Sequence, residues 1–195
     1  MMQTKRCNRL DDFLMKKMLN SEKNYFSDEE RYQAYRNFLR LTTKEGKRIA
    51  ATQTIKKWFG IGGIKRPNRE GLFKIGFDLR LSVKEMEELF VYVMREPDFQ
   101  INDYREMIFL YGFYHQMTYD DCIKMIDCFE KSLPGDLSIR QHNCTNDIWE
   151  EYGKNCELDA DDFLQWMLEK SEDLKDIVKL FWIILEQLRK KLFQK

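Results

Sequence analysis

TIKKWFGIGGIKRPNREGLFKIGFDLRLS, residues 54–82, is the stretch on which the reading of this chain turns. Two patterns overlap in it. Leu72, Ile75, Gly76 and Leu79 recur at the spacing of one helical face, with Phe73 and Phe77 beside it. Leu81-Ser82-Val83-Lys84-Glu85 then opens a second helix: an apolar residue, a hydroxyl able to accept the free N–H groups of the first turn, and an acid at the positive helix end. The other pattern is charge. From Arg40 to Lys74 the bases are Arg40, Lys44, Lys47, Arg48, Lys56, Lys57, Lys65, Arg66, Arg69 and Lys74, against the acids Glu45 and Glu70. Ten against two leaves a local excess of plus eight in a chain of net charge zero.

Outward from this stretch the helical spacing continues. Val83, Met86, Phe90 and Val93 form one stripe, Tyr104, Ile108 and Tyr111 another, and Tyr119, Cys122, Ile126 and Phe129 a third. Helix starts of the same design recur at Ser27 with Glu30, at Thr118 with Asp120 and Asp121, and at Asp159 with Asp161 and Asp162. Residues 69–77 also match residues 105–113, which puts Gly76 opposite Gly112 and Ser82 opposite Thr118. Each copy reads as a helix, a short turn and a capped second helix. Three Pro and nine Gly in 195 residues are too few for the turns of a sandwich or barrel, so the expected fold is all-α.

Pro97 in Arg95-Glu96-Pro97-Asp98 disfavours a helical Glu96 and ends what precedes it. The expected organisation is an N-terminal helical segment (1–27), a helical domain (28–95) and a C-terminal helical domain for interaction or dimerisation (96–195). Ser132 to Asn146, with Pro134-Gly135, reads as a loop. Leu174 to Phe193 reads as one long helix, apolar almost all round from Ile177 to Leu185, which must be buried by this chain or by a partner. That suggests a homodimer formed through the C-terminal helix. Charge reverses in this half: Gln141 to Asp173 carries ten acids against Lys154 and Lys170, a net of minus eight.

Several chemistries lack their residues. The five cysteines are odd in number and form no CxxC, and with His115 and His142 the only histidines no HExxH or His/Cys cluster can be assembled. Gly60-Ile61-Gly62-Gly63 has no following Lys-Ser/Thr and no preceding strand, so it does not read as a phosphate loop. Asp159-Asp161-Asp162 lacks the Gly and terminal Glu of a calcium loop. No catalytic residue, metal or cofactor is expected, and the chain does not read as an enzyme. MMQTKRCNRLDDFLMKKMLN has no uninterrupted apolar core, and the run Phe181 to Leu185 is too short to span a bilayer. The expected setting is therefore cytoplasmic and away from the membrane, where the sequon Asn143-Cys144-Thr145 carries no meaning.

The opening stretch resembles the lambda-repressor-like (Xre-type) helix-turn-helix domains over residues 43–94, and similar segments occur in uncharacterised bacterial helical regulators. In that family a recognition helix with a Thr-Ile or Thr-Val pair ends near a Gly, and a basic loop with a Pro, a helix, a short turn and a capped last helix follow. The matching residues are Thr54-Ile55-Lys56-Lys57-Trp58-Phe59-Gly60, Ile64-Lys65-Arg66-Pro67-Asn68-Arg69-Glu70, the helix from Leu72 to Leu79, and Leu81 to Glu85. The resemblance implies a helix-turn-helix-like N-terminal domain followed by helical hairpins and a long C-terminal helix. It implies a sequence-specific DNA-binding transcriptional regulator of bacterial or phage type, binding double-stranded DNA. Ile55 and Trp58 would enter the core. Thr52, Gln53, Lys56 and Lys57 would face the major groove, while Lys65, Arg66 and Arg69 would hold the backbone. The chain departs from the family at the turn: the positions that normally hold an Ala and a turn Gly hold Glu45 and Ile49, with Gly46 and Ala50-Ala51 nearby. The other reading is a non-catalytic helical interaction or scaffold module with a degenerate helix-turn-helix, docking a protein partner.

Overall fold

The computed structural model describes residues 9–44, 46–133, 145–171 and 174, and among these the regular structure is nine α-helices and one π-helix. No strand occurs among the described residues; an isolated pair of backbone bonds between Lys44 and Lys47 is the nearest approach to one. The chain divides into two compact units, Met1–Asp98 and Phe99–Lys195.

The first unit holds α1 (Leu10–Leu19), α2 (Asp28–Thr42), α3 (Thr52–Trp58), α4 (Arg69–Asp78), α5 (Val83–Glu88) and the π-helix Leu89–Met94. Its helices start where local chemistry says they should. The Ser27 hydroxyl accepts the Glu30 amide while the Glu30 carboxylate accepts the Ser27 amide, and Ser82 and Glu85 form the same reciprocal pair. Phe38 is fully buried, with the Phe59 ring 5.3 Å and the Trp58 ring 6.3 Å away, both edge-on. Leu14, Met15, Ile55, Leu72, Ile75, Met86, Leu89 and Phe90 are among the other fully buried residues of this unit. α1 packs against α2, α3 and the π-helix, and its buried Leu14 and Met15 belong to the same core.

The second unit holds α6 (Tyr104–Tyr114), α7 (Tyr119–Ser132), α8 (Thr145–Asn155) and α9 (Ala160–Glu169). Thr118 accepts the Asp121 amide, and Asp159 accepts the amides of Asp161 and Asp162. Tyr111 stacks on Phe163 at 4.1 Å, and its hydroxyl donates to the Leu158 carbonyl at 2.8 Å. With His115 Nε2 2.8 Å from the Cys156 carbonyl, α6 thereby fixes the turn between α8 and α9. The helix expected from Leu174 to Phe193 lies, beyond Leu174, outside the described residues. So does most of the expected loop between Ser132 and Asn146.

The internal repeat extends to backbone detail. α4 and α6 both end in a residue with positive φ, Arg80 at 50° and Gln116 at 54°. Leu81 N–H bonds the Gly76 carbonyl and Met117 N–H the Gly112 carbonyl, each at 2.9 Å. Arg80 N–H reaches the Phe77 carbonyl and Gln116 N–H the Phe113 carbonyl, so the two helices close by the same Schellman pattern. Gly76 and Gly112 are both buried.

Candidate nucleic-acid interface

α3 is seven residues long and amphipathic by position. Ile55 is fully buried and Trp58 is 3% exposed, one turn apart, as the helix-turn-helix resemblance implies. Packing against α2 leaves the other side outward: Gln53 and Lys57 are exposed, and Thr52, Thr54 and Lys56 are half-buried. The helix ends in its own Schellman closure, with Ile61 N–H on the Lys56 carbonyl at 3.0 Å and Gly60 N–H on the Lys57 carbonyl at 3.2 Å. Gly60 has φ +73°, which a side chain would strain. The Gly-Ile-Gly-Gly segment is thus the terminator of a helix and meets its carbonyl end, the opposite polarity from a phosphate cradle.

The loop between α2 and α3 is not the tight turn of a helix-turn-helix. Nine residues, 43–51, connect the two helices, whereas that motif uses three or four. Lys44 and Lys47 exchange backbone bonds at 3.1 and 2.8 Å around Gly46, and Lys44 Nζ reaches the buried Asp78 carboxylate at 2.6 Å. The loop is therefore anchored to the end of α4. Arg48 donates to the Thr52 hydroxyl at the start of α3, so Thr52 is engaged within the unit.

The basic side chains named from the sequence divide into distinct groups. Lys57, Lys65 and Arg66 are exposed, and none has an ion-pair partner among the described residues. Among the described residues, Arg66 makes one polar contact, to the Met94 carbonyl, at 3.5 Å the outer limit of a hydrogen bond. Lys56 lies between two rings, its ammonium 5.9 Å from the centroids of both Tyr32 and Tyr35. Arg69 is different in kind. Its guanidinium donates to the Pro97 and Asp98 carbonyls, both at 2.9 Å, lies 3.5 Å from a Glu96 carboxylate oxygen and sits 4.2 Å from the Phe90 ring centroid. With its planar face on an aromatic ring and its donors on carbonyls, Arg69 staples α4 to residues 96–98. Its donors are thereby engaged within the unit.

Periodicity alone missed Arg36 and Arg40. Both are exposed on α2, and neither has a hydrogen-bond or ion-pair partner among the described residues. Arg40 stands in the basic run counted above; Arg36 lies four residues ahead of it, and that helical spacing was the available signal. No group of three or more potential metal ligands occurs among the described residues, and no described helix is long and apolar enough to cross a membrane. Comparison with protein-family models, with curated proteins and with solved structures finds no match to this chain.

Proposed function

We propose that the first unit binds double-stranded DNA, with α3 against the major groove and the loop carrying Lys65 and Arg66 on the sugar–phosphate backbone, and that the protein is a transcriptional regulator of bacterial or phage type. The observation that carries this reading is the outward face of α3. Ile55 and Trp58 fix the helix to the core, and Gln53 and Lys57 project from the other side with the cations of the next loop close in sequence. Gln is suited to adenine, Lys to guanine or to phosphate. An outward face with unpaired cations costs little to desolvate against a polyanion and gains from counterion release.

A second reading is supported by the connection between α2 and α3. A nine-residue loop in place of the tight turn, with Arg69 held internally, suits a helical module that keeps the scaffold and docks a protein. The two part company in one titration. Fluorescence anisotropy of labelled duplexes with the full-length protein, repeated across salt concentrations, yields for the DNA reading a log–log slope of several units. Lys57→Ala lowers that slope by about 0.9, and Gln53→Ala costs about 1–3 kcal/mol of discrimination at one base pair. Both side chains are exposed, so melting temperature stays unchanged. Binding that ignores salt, or variants that match the parent on every duplex, would eliminate the DNA reading.

A further inference from the structure

We infer that the C-terminal half of α2 is the backbone-positioning arm of this interface, with Arg36 and Arg40 contacting phosphates of duplex DNA. The inference rests on the reading above and adds to it cations that, unlike Arg69, are not engaged in bonds within the unit among the described residues.

Tyr32, Arg36 and Arg40 follow one another at four-residue intervals, so they line one face of α2, and all three are exposed. Tyr32 is 43% exposed. The helix is polarised along its length. Asp28, Glu29 and Glu30 occupy its first turn, where the helix end is positive, and Glu30 is held below the usual carboxylate range by the Lys23 ammonium and the Ser27 amide. The arginines lie toward the opposite end, where backbone carbonyls would repel an anion. Any attraction for phosphate there comes from the side chains.

Two observations connect this face to α3. The Lys56 ammonium lies 5.9 Å from both the Tyr32 and Tyr35 rings, so this side chain of α3 reaches α2 within one turn of Arg36. The loop that leaves α2 then returns to α3 through Arg48 and Thr52. A duplex seated on Gln53 and Lys57 passes beside Tyr32 and Arg36. The freedom of the two arginines matters as much as their place. An arginine already bridging carbonyls, as Arg69 does, loses those bonds when it turns to a phosphate. Arg36 and Arg40 lose none among the described residues.

The test uses the full-length protein and the same anisotropy titration. In Arg36→Gln/Arg40→Gln, two lost phosphate contacts lower the slope by about 1.8; if the curves converge at 1 M salt, affinity at 0.1 M falls about sixty-fold. The loss is uniform across duplex sequences, because backbone contacts carry no base information. Arg36→Lys/Arg40→Lys keeps the slope. Gln33→Lys, which adds a cation to the same exposed face, raises it by about 0.9, a gain that unfolding cannot imitate. A parent that binds with a steep slope while the double-Gln variant keeps it overturns the α2 arm and leaves the α3 reading standing. A Lys variant as weak as the Gln variant overturns it too. A parent with no affinity for duplex overturns both.

Discussion

Gly60→Ala tests whether α3 is held in place by the closure at its end. Gly60 sits at φ +73°, and an alanine there pays the left-handed cost of an L-residue, about 1–2 kcal/mol. A second cost comes from the neighbours. A methyl at that position would lie 2.7 Å from Arg31 Nη1 and 3.3 Å from an Asp11 carboxylate oxygen. The guanidinium end of a flexible side chain can move aside at little steric cost, but its hydrogen bonds would not follow. Arg31 Nη1 donates to the Phe59 carbonyl at 2.8 Å and to Asp11 at 3.2 Å, joining the end of α3 to α1. Asp11 is 5% exposed and would keep only Arg9, bound at 2.9 and 3.0 Å. Breaking these bonds adds about 1–3 kcal/mol, for a total of about 2–5.

A double-mutant cycle separates the two parts. Urea unfolding of the parent, Gly60→Ala, Arg31→Ala and the double variant, followed by circular dichroism and by tryptophan fluorescence, of which Trp58 is the sole source before residue 99, gives the four free energies. In the Arg31→Ala background the contact at 2.7 Å is gone, so Gly60→Ala costs only the backbone part, about 1–2 kcal/mol. The cycle then returns a coupling of about 1–3 kcal/mol. Strict additivity would refute the link between Gly60 and Arg31. A cost for Gly60→Ala below about 0.5 kcal/mol would refute the positive-φ requirement as well.

Two further predictions bear on other parts of the chain. Arg80→Gly and Gln116→Gly each raise stability by about 0.5–1 kcal/mol in urea unfolding, because both native residues occupy a left-handed position that glycine adopts without strain; a loss at either site breaks the structural equivalence of the two hairpins. Burial, with Asp121 adding to it, pushes the fully buried Cys122 thiol up to about 12, so at pH 8 its thiolate fraction is about one in ten thousand even if a reagent could reach it. Peptide mapping after brief iodoacetamide treatment therefore finds Cys128, which is exposed, alkylated well ahead of Cys122, and equal labelling would contradict the placement of Cys122 in the core.

What could be read from the sequence was what is local. Ser27, Ser82, Thr118 and Asp159 were recognisable as caps because the acceptor and the amides it serves lie within three residues of each other. The all-helical class followed from apolar spacing, and the inward side of α3 from the resemblance. The repeat was visible in residues 69–77 and 105–113, but its shared closure was not, since Arg80 and Gln116 do not advertise a left-handed backbone as glycine would. The π-helix Leu89–Met94 was equally silent: six apolar or aromatic residues in a row fit either helix, and only packing decides which turn is widened. Arg69 shows the limit most clearly. Its spacing places it on a helix face, but the carbonyls of Pro97 and Asp98 that take its donors lie 28 and 29 residues away. Lys44 is the same case, with its ammonium drawn to Asp78 across the fold.

Those long-range partners change what the basic stretch can do, because they turn a count of charges into a count of available charges. A net charge of plus eight between Arg40 and Lys74 suggests a steep salt dependence, but Arg69 and Lys44 are engaged within the unit, and Lys74 is paired to Glu70 at 2.7 Å. On α3 and the loop that follows it the exposed cations are Lys57, Lys65 and Arg66, which alone give a slope of about 2.7. Arg36 and Arg40 bring it to about 4.5. The salt slope of the unmodified protein thus reads out which cations the fold has left unengaged, and a value near the lower figure assigns the contact to α3 and its loop without help from α2.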